Sequence, residues 1–126
     1  MTARVLVVDD SPVVRRLVTR LLERADGIQV AGTAPDGQAA LEAVDRLRPD
    51  LVTMDVEMPG MDGITAVREL RRTGHAMPVV MLSTLTERGA RATLDALAAG
   101  ATDYVAKPSG TGSLQRSVDV LAAELL

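Results

Sequence analysis

Leu51-Val52-Thr53-Met54-Asp55-Val56-Glu57-Met58-Pro59-Gly60-Met61-Asp62-Gly63 decides the fold. A short apolar run rich in β-formers stops at Asp55. A Pro-Gly break follows, and then an Asp-Gly that can start a helix. The pattern is that of a buried strand delivering one carboxylate to the rim of a sheet, where open α/β folds put their chemistry. Taken alone, Asp55 reads more often as a residue that ends a strand and bonds its own turn. The rest of the chain bears on that choice.

Upstream, Arg4-Val5-Leu6-Val7-Val8 is another continuous apolar run, suited to a strand buried on both faces. It ends at Asp9-Asp10-Ser11-Pro12, where Pro12 suits a helix's first turn and Asp10 or Ser11 its N-cap. Val13, Val14, Leu17, Val18, Leu21 and Leu22 recur with helical period, and Gly27 is expected to close that helix. Residues 28–34 alternate as an edge strand does. Pro35-Asp36-Gly37 opens a second helix with Ala40, Leu41, Val44 and Leu47 inward, stopped at Arg48-Pro49-Asp50.

Downstream of Asp55, a third helix carries Ile64, Val67 and Leu70 and ends near Gly74. Residues 78–82 form an apolar strand leading into Ser83-Thr84. A fourth helix is expected to turn Ala90, Leu94 and Leu97 inward and to stop at Gly100. Residues 102–106 form a fifth strand delivering Lys107-Pro108, and a last helix aligns Leu114, Val118, Leu121 and Leu125. Five strands alternating with five helices predict an α/β fold. Its doubly wound, five-stranded parallel sheet would have the order 2-1-3-4-5, flavodoxin-like, with helices on both faces.

The chain's 126 residues suit one domain with one real core, and 47% hydrophobic against 25% charged residues is the balance of an ordinary globule. One Tyr and no Phe or Trp leave the core to aliphatic side chains. A net charge of -3 argues against nucleic acid or anionic membrane as a general partner. The absence of Cys excludes disulfides and thiolate metal sites, which fits a cytoplasmic protein. No signal-peptide pattern opens the chain, and no apolar run approaches the roughly 20 residues that span a bilayer.

In the order 2-1-3-4-5, strands one, three, four and five are neighbours. Their ends carry Asp9 and Asp10, Asp55, Ser83 and Thr84, and Lys107. Each has an ordinary reading: Asp10 a cap, Ser83 or Thr84 a cap of the fourth helix, Lys107 a solvated lysine. Those readings do not require a shared edge, whereas the predicted topology gives them one. Two carboxylates about 4 Å apart repel by roughly 4 kcal/mol at an effective dielectric near 20. Lys107 offsets part of that. A divalent cation with oxygen ligands offsets the rest, and Mg²⁺ suits carboxylates, waters and a phosphoryl oxygen. A carboxylate so placed is equipped to attack phosphorus, with the metal, the ammonium and the hydroxyl holding the equatorial oxygens.

Val7-Val8-Asp9-Asp10-Ser11, the stretch 54–63, Met81-Leu82-Ser83 and Val105-Ala106-Lys107-Pro108 together resemble the receiver domain of two-component response regulators. Residues 56–63, 85–90 and 107–110 more narrowly resemble the N-terminal receiver of chemotaxis protein-glutamate methylesterases. The resemblance implies that Asp55 accepts a phosphoryl group from a chemotaxis-type sensor histidine kinase. It implies Mg²⁺ ligation by Asp10, Asp55 and the backbone carbonyl of Glu57, with Asp9 acting mostly through water. Lys107, Thr84 and Ser83 would bind the phosphoryl group, Ser83 as the switch hydroxyl and Tyr104 as the switch aromatic, and the Lys107–Pro108 bond would be cis. Without the resemblance Tyr104 reads as a half-buried sheet tyrosine.

Residues 1–126 are thus expected to be one receiver domain. The linker and catalytic domain of a full-length methylesterase are not in this stretch, which has no Gly-x-Ser-x-Gly. Its only histidine, His75, falls in a helix-terminating loop and reads as solvated. Two other readings stand beside this one. A free-standing receiver would be a phosphorylation-gated binding module. A phosphohydrolase of the haloacid-dehalogenase type also uses aspartate, hydroxyl, lysine and Mg²⁺, but wants its second aspartate two residues after the nucleophile on the first strand, where this chain has adjacent aspartates.

Overall fold

The computed structural model describes residues 2–83 and 87–106. In chain order the elements are β1 (Ala3–Val8), α1 (Pro12–Glu23), β2 (Ile28–Ala34), α2 (Gly37–Leu47), β3 (Leu51–Asp55), α3 (Gly63–Arg72), β4 (Val79–Ser83), α4 (Glu87–Ala99) and β5 (Asp103–Ala106). All pairings are parallel and the sheet order is β2-β1-β3-β4-β5, as the alternation predicted. Thr84, Lys107, Pro108 and the expected fifth helix lie outside the described residues. Among the described residues, no helix is long and apolar enough to cross a membrane.

The continuous apolar runs are buried on both sides. Leu6, Val8, Val52, Met54, Val79 and Met81 meet Ala40 and Val44 of α2, Val67 and Leu70 of α3, and Ala96 of α4. Val5, Val7, Leu51, Val80 and Leu82 meet Val18 and Leu22 of α1 on the opposite face. β2 lies at the edge with Gln29 and Thr33 exposed and the residues between them partly buried, and its ladder to β1 is irregular between Val5 and Leu6. The expected caps form: Ser11 accepts from Val14 N, Asp36 from Ala39 N and Asp62 from Thr65 N.

Three expectations need correction. First, α1 stops at Glu23, and Gly27 is used four residues later in the turn, at φ +84°, where its carbonyl accepts from Ala3 N. Secondly, the six apolar positions of α1 cover about half the helix circumference, more than a flat sheet can bury. Val18 and Leu22 are buried, while Val13 is 72% and Leu17 41% exposed. Thirdly, α4 buries Ala96 and leaves Leu94 69% and Leu97 38% exposed. A small residue faces inward here, and Leu94 and Leu97, on other sides of the helix from Ala96, are exposed.

The connection from β3 to α3 is seated by two glycines. Gly63 donates to Val56 O, and a Cβ on it would overlap the carbonyl oxygen of Asp55. A Cβ on Gly37 at the start of α2 would lie 2.6 Å from the carbonyl oxygen of Met61. Both positions need glycine for space rather than for backbone conformation, so the residues after Asp55 are pressed between the starts of two helices.

Two substitutions test this packing. Thr53 is fully buried between Val7 and Val80, and its hydroxyl finds no hydrogen-bond partner among the described residues. Thr53→Val removes an uncompensated hydroxyl at nearly constant shape and is expected to raise the urea midpoint, by about 1 kcal/mol of stability. Gly63→Ala pushes a methyl into backbone and is expected to lower stability by about 2–3 kcal/mol in the same measurement.

Candidate functional site

Sheet register assembles the site. Val8 is aligned with Met54, so one further step along each strand sets Asp9 beside Asp55. Asp55 is aligned with Leu82 on the other side, with Val56 N donating to Leu82 O, and Ser83 ends the next strand one residue beyond. Suitable oxygens of Asp9, Asp10 and Asp55 all lie within 4.8 Å of one another. Asp9 and Asp55 are buried and Asp10 is exposed, so the cluster runs from the interior to the surface.

Each buried carboxylate is oriented by the turn that follows it. Asp9 Oδ1 accepts from Ser11 N at 2.9 Å, and Asp55 Oδ1 accepts from Glu57 N at 3.4 Å. The Asp9 backbone carbonyl accepts from the Arg15 guanidinium at 2.6 Å. Pattern reading missed Arg15, because an arginine bonded to a carbonyl leaves no partner to find in the sequence. Its one signal is position, a single turn into the helix that begins at the acidic pair.

Beside the cluster opens a cleft of about 460 Å³, lined by Asp10, Glu57, Asp62, Met58, Pro59 and Ile64 among others. It reaches the cluster at Asp10, the exposed member. Ser83 is nearly buried at the rim. Tyr104 is 47% exposed on β5, with its amide bonded to Asp103, so its ring faces outward rather than into the sheet. Thr84 and Lys107, expected to bind a phosphoryl group, lie outside the described residues. His75, expected to be solvated, is half-buried and pairs with Asp45 of α2 at 3.0 Å, remote in sequence and bonding from the acidic cluster.

Three hard, anionic oxygen donors at this spacing match what a small divalent cation takes, and offer nothing to a soft metal. A pair of full charges 4.8 Å apart repels by about 3 kcal/mol at an effective dielectric near 20. The arrangement can therefore hold a hard cation beside the buried carboxylate of Asp55, with the Ser83 hydroxyl on the adjacent strand.

Known proteins share both the sequence and the shape. The family described as the response regulator receiver domain matches residues 5–119. A protein-glutamate methylesterase/protein-glutamine glutaminase of Nocardioides sp. is 60% identical over 98% of this chain, and one of Trichodesmium erythraeum is 45% identical over the same share. The chain spans about a third of the length of those two relatives, 34% and 35%. The response regulator domain of Thermotoga maritima CheB superposes with TM-score 0.79 at 41% identity, over 99% of this chain and 91% of that one. A LuxR-family two-component response regulator from Aurantimonas superposes with TM-score 0.89 at 35% identity, over 98% of this chain and 87% of that one. A family match across nearly the whole length, together with these likenesses, shows that the chain belongs to the response regulator receiver domain family.

Proposed function

We propose that this chain is a phosphoacceptor switch in which Asp55 takes a phosphoryl group from a sensor histidine kinase of the chemotaxis type. The observation that carries the reading is the convergence of Asp9, Asp10 and Asp55 within 4.8 Å at the rim of the sheet, with Ser83 on the next strand. An Asp55 oxygen attacks phosphorus in line as the phosphorus–nitrogen bond of the donor imidazole breaks. The donor imidazole, carrying a proton on its other ring nitrogen, takes the bonding electrons and leaves neutral as the acyl phosphate forms. Asp9, Asp10 and Asp55, with the Glu57 carbonyl, would hold Mg²⁺, which when bound supplies charge neutralisation at the transferred oxygens. The turn amides of Ser11 and Glu57 keep the two buried carboxylates aimed at one point, which lowers the entropic part of the barrier.

In this reading Ser83 and Thr84 offer hydroxyls, and Lys107 an ammonium, to the product's phosphoryl oxygens. The resemblance of Met81-Leu82-Ser83 and Val105-Ala106-Lys107-Pro108 to receiver motifs supports those roles. Movement of Ser83 toward the phosphoryl group, with inward rotation of the exposed Tyr104, would bias a two-state equilibrium. The likeness to methylesterase relatives supports an attached C-terminal esterase as the regulated effector, and a cytoplasmic location belongs to the same reading.

Incubation with Mg²⁺ and a small acyl phosphate tests it. Mass spectrometry is expected to find one added phosphoryl group, on Asp55, and none in Asp55→Ala. Sustained hydrolysis of a generic phosphate ester without a labelled intermediate would instead support a phosphohydrolase.

A further inference from the structure

Arg71, in the last turn of α3, makes three hydrogen bonds to backbone carbonyls of two different turns. Its Nε donates to Gly100 O at 3.0 Å, and its Nη1 donates to His75 O at 2.9 Å and to Met77 O at 2.8 Å. The first acceptor follows α4, and the other two lead into β4. No carboxylate pairs with Arg71 among the described residues, and burial pulls its pKa below the ordinary arginine value. A half-buried guanidinium satisfied only by carbonyls is held by geometry, because its planar fork must meet fixed acceptors.

Gly100 is shaped to this contact. Its φ is +117°, and a Cβ there would lie 2.7 Å from Arg71 Cγ and 3.3 Å from Nε. The arginine stem thus crosses the face a side chain would occupy. The next residues are also fastened. Ala101 N donates to Ala96 O, Thr102 N donates to Val79 O, and Thr102 Oγ1 accepts from Val79 N. The lower end of α4 is consequently tied to α3 and β4 together, while its upper end follows Ser83.

We infer that Arg71 is a positioning residue that fixes the lower end of α4 at Gly100, so that a rearrangement started at Ser83 swings α4 about this end instead of sliding the whole helix. The inference rests on the phosphoacceptor reading above. α4 has 13 residues and is about 20 Å long. A rotation about Gly100 therefore displaces Leu94 more than Leu97, and the residues nearest Ser83 most of all. Sliding would move all of them equally and would break the Arg71 bonds and those of Thr102 at once. The exposed leucines of α4 then report phosphorylation in a graded way along the helix.

Per-residue amide exchange by NMR, in Mg²⁺ with and without the phosphoryl mimic beryllofluoride, tests the pivot. In the wild type, exchange is expected to change at least fivefold within residues 91–95 and less than twofold within 98–102. In Arg71→Met, which keeps the stem and removes the donors, the ligand-induced change is expected to spread into 98–102. Arg71→Lys is expected to restore only part of the confinement. If the arginine merely stabilised the turn, Arg71→Met would raise exchange there equally with and without the mimic, and that result overturns the pivot. Equal ligand-induced changes at both ends of α4 in the wild type overturn it too, whatever the variants do. If beryllofluoride alters no amide, those after Asp55 included, the phosphoacceptor reading fails and the pivot fails with it.

Discussion

Mutual repulsion among Asp9, Asp10 and Asp55 is the constraint on which the rest of this structure depends. Three negative charges within 4.8 Å, two of them buried, raise the free energy of the folded state wherever nothing compensates them. The strands beneath the cluster are largely apolar. Leu6, Val7, Val8, Val52, Met54, Met81 and Leu82 are all fully buried, and together they form an interior that does not deform to let the carboxylates drift apart. In the proposed function a hard cation would turn that repulsion into binding energy, with the same carboxylates as its ligands.

The two ends of the sheet are built differently. At the rim, turn amides of Ser11 and Glu57 donate to the carboxylates of Asp9 and Asp55, and Arg15 donates to the Asp9 carbonyl. At the opposite end, arginines clamp backbone carbonyls. Arg4 donates to Leu47 O and Arg48 O below α2, and Arg71 gathers Gly100, His75 and Met77. The bonds at the end opposite the rim join turns that are distant in sequence, and so tie those turns to one another.

Much of this was legible in the sequence. Parallel order follows from apolar runs alternating with helical periods, and the order alone puts Asp9, Asp55 and Ser83 on neighbouring strand ends. Asp36, Asp62 and Gly100 carried their usual cap chemistry and were found where read. What was not legible has physical causes. A helical period identifies a stripe, but two adjacent stripes on α1 and α4 fit the same spacing. The choice of Ala96 over Leu94 and Leu97 is made by how closely α4 approaches the sheet. Arg15 and Arg71 bond to carbonyls, which every residue has, so no partner residue type announces them. The pairing of His75 with Asp45 joins residues 30 apart and depends on how α2 and α3 lie together.

The central claim is that the acidic cluster is a divalent-cation site whose charges oppose folding until it is filled. The most direct measurement is the thermal midpoint of the wild-type chain and of Asp55→Asn, followed from excess chelator through rising Mg²⁺ at constant ionic strength. The account predicts a saturable rise for the wild type, equivalent to about 2.7 kcal/mol at a hundred times the dissociation constant. It also predicts that Asp55→Asn starts higher in chelator and gains less. A wild-type midpoint indifferent to Mg²⁺, or one that rises equally in both chains, would contradict it.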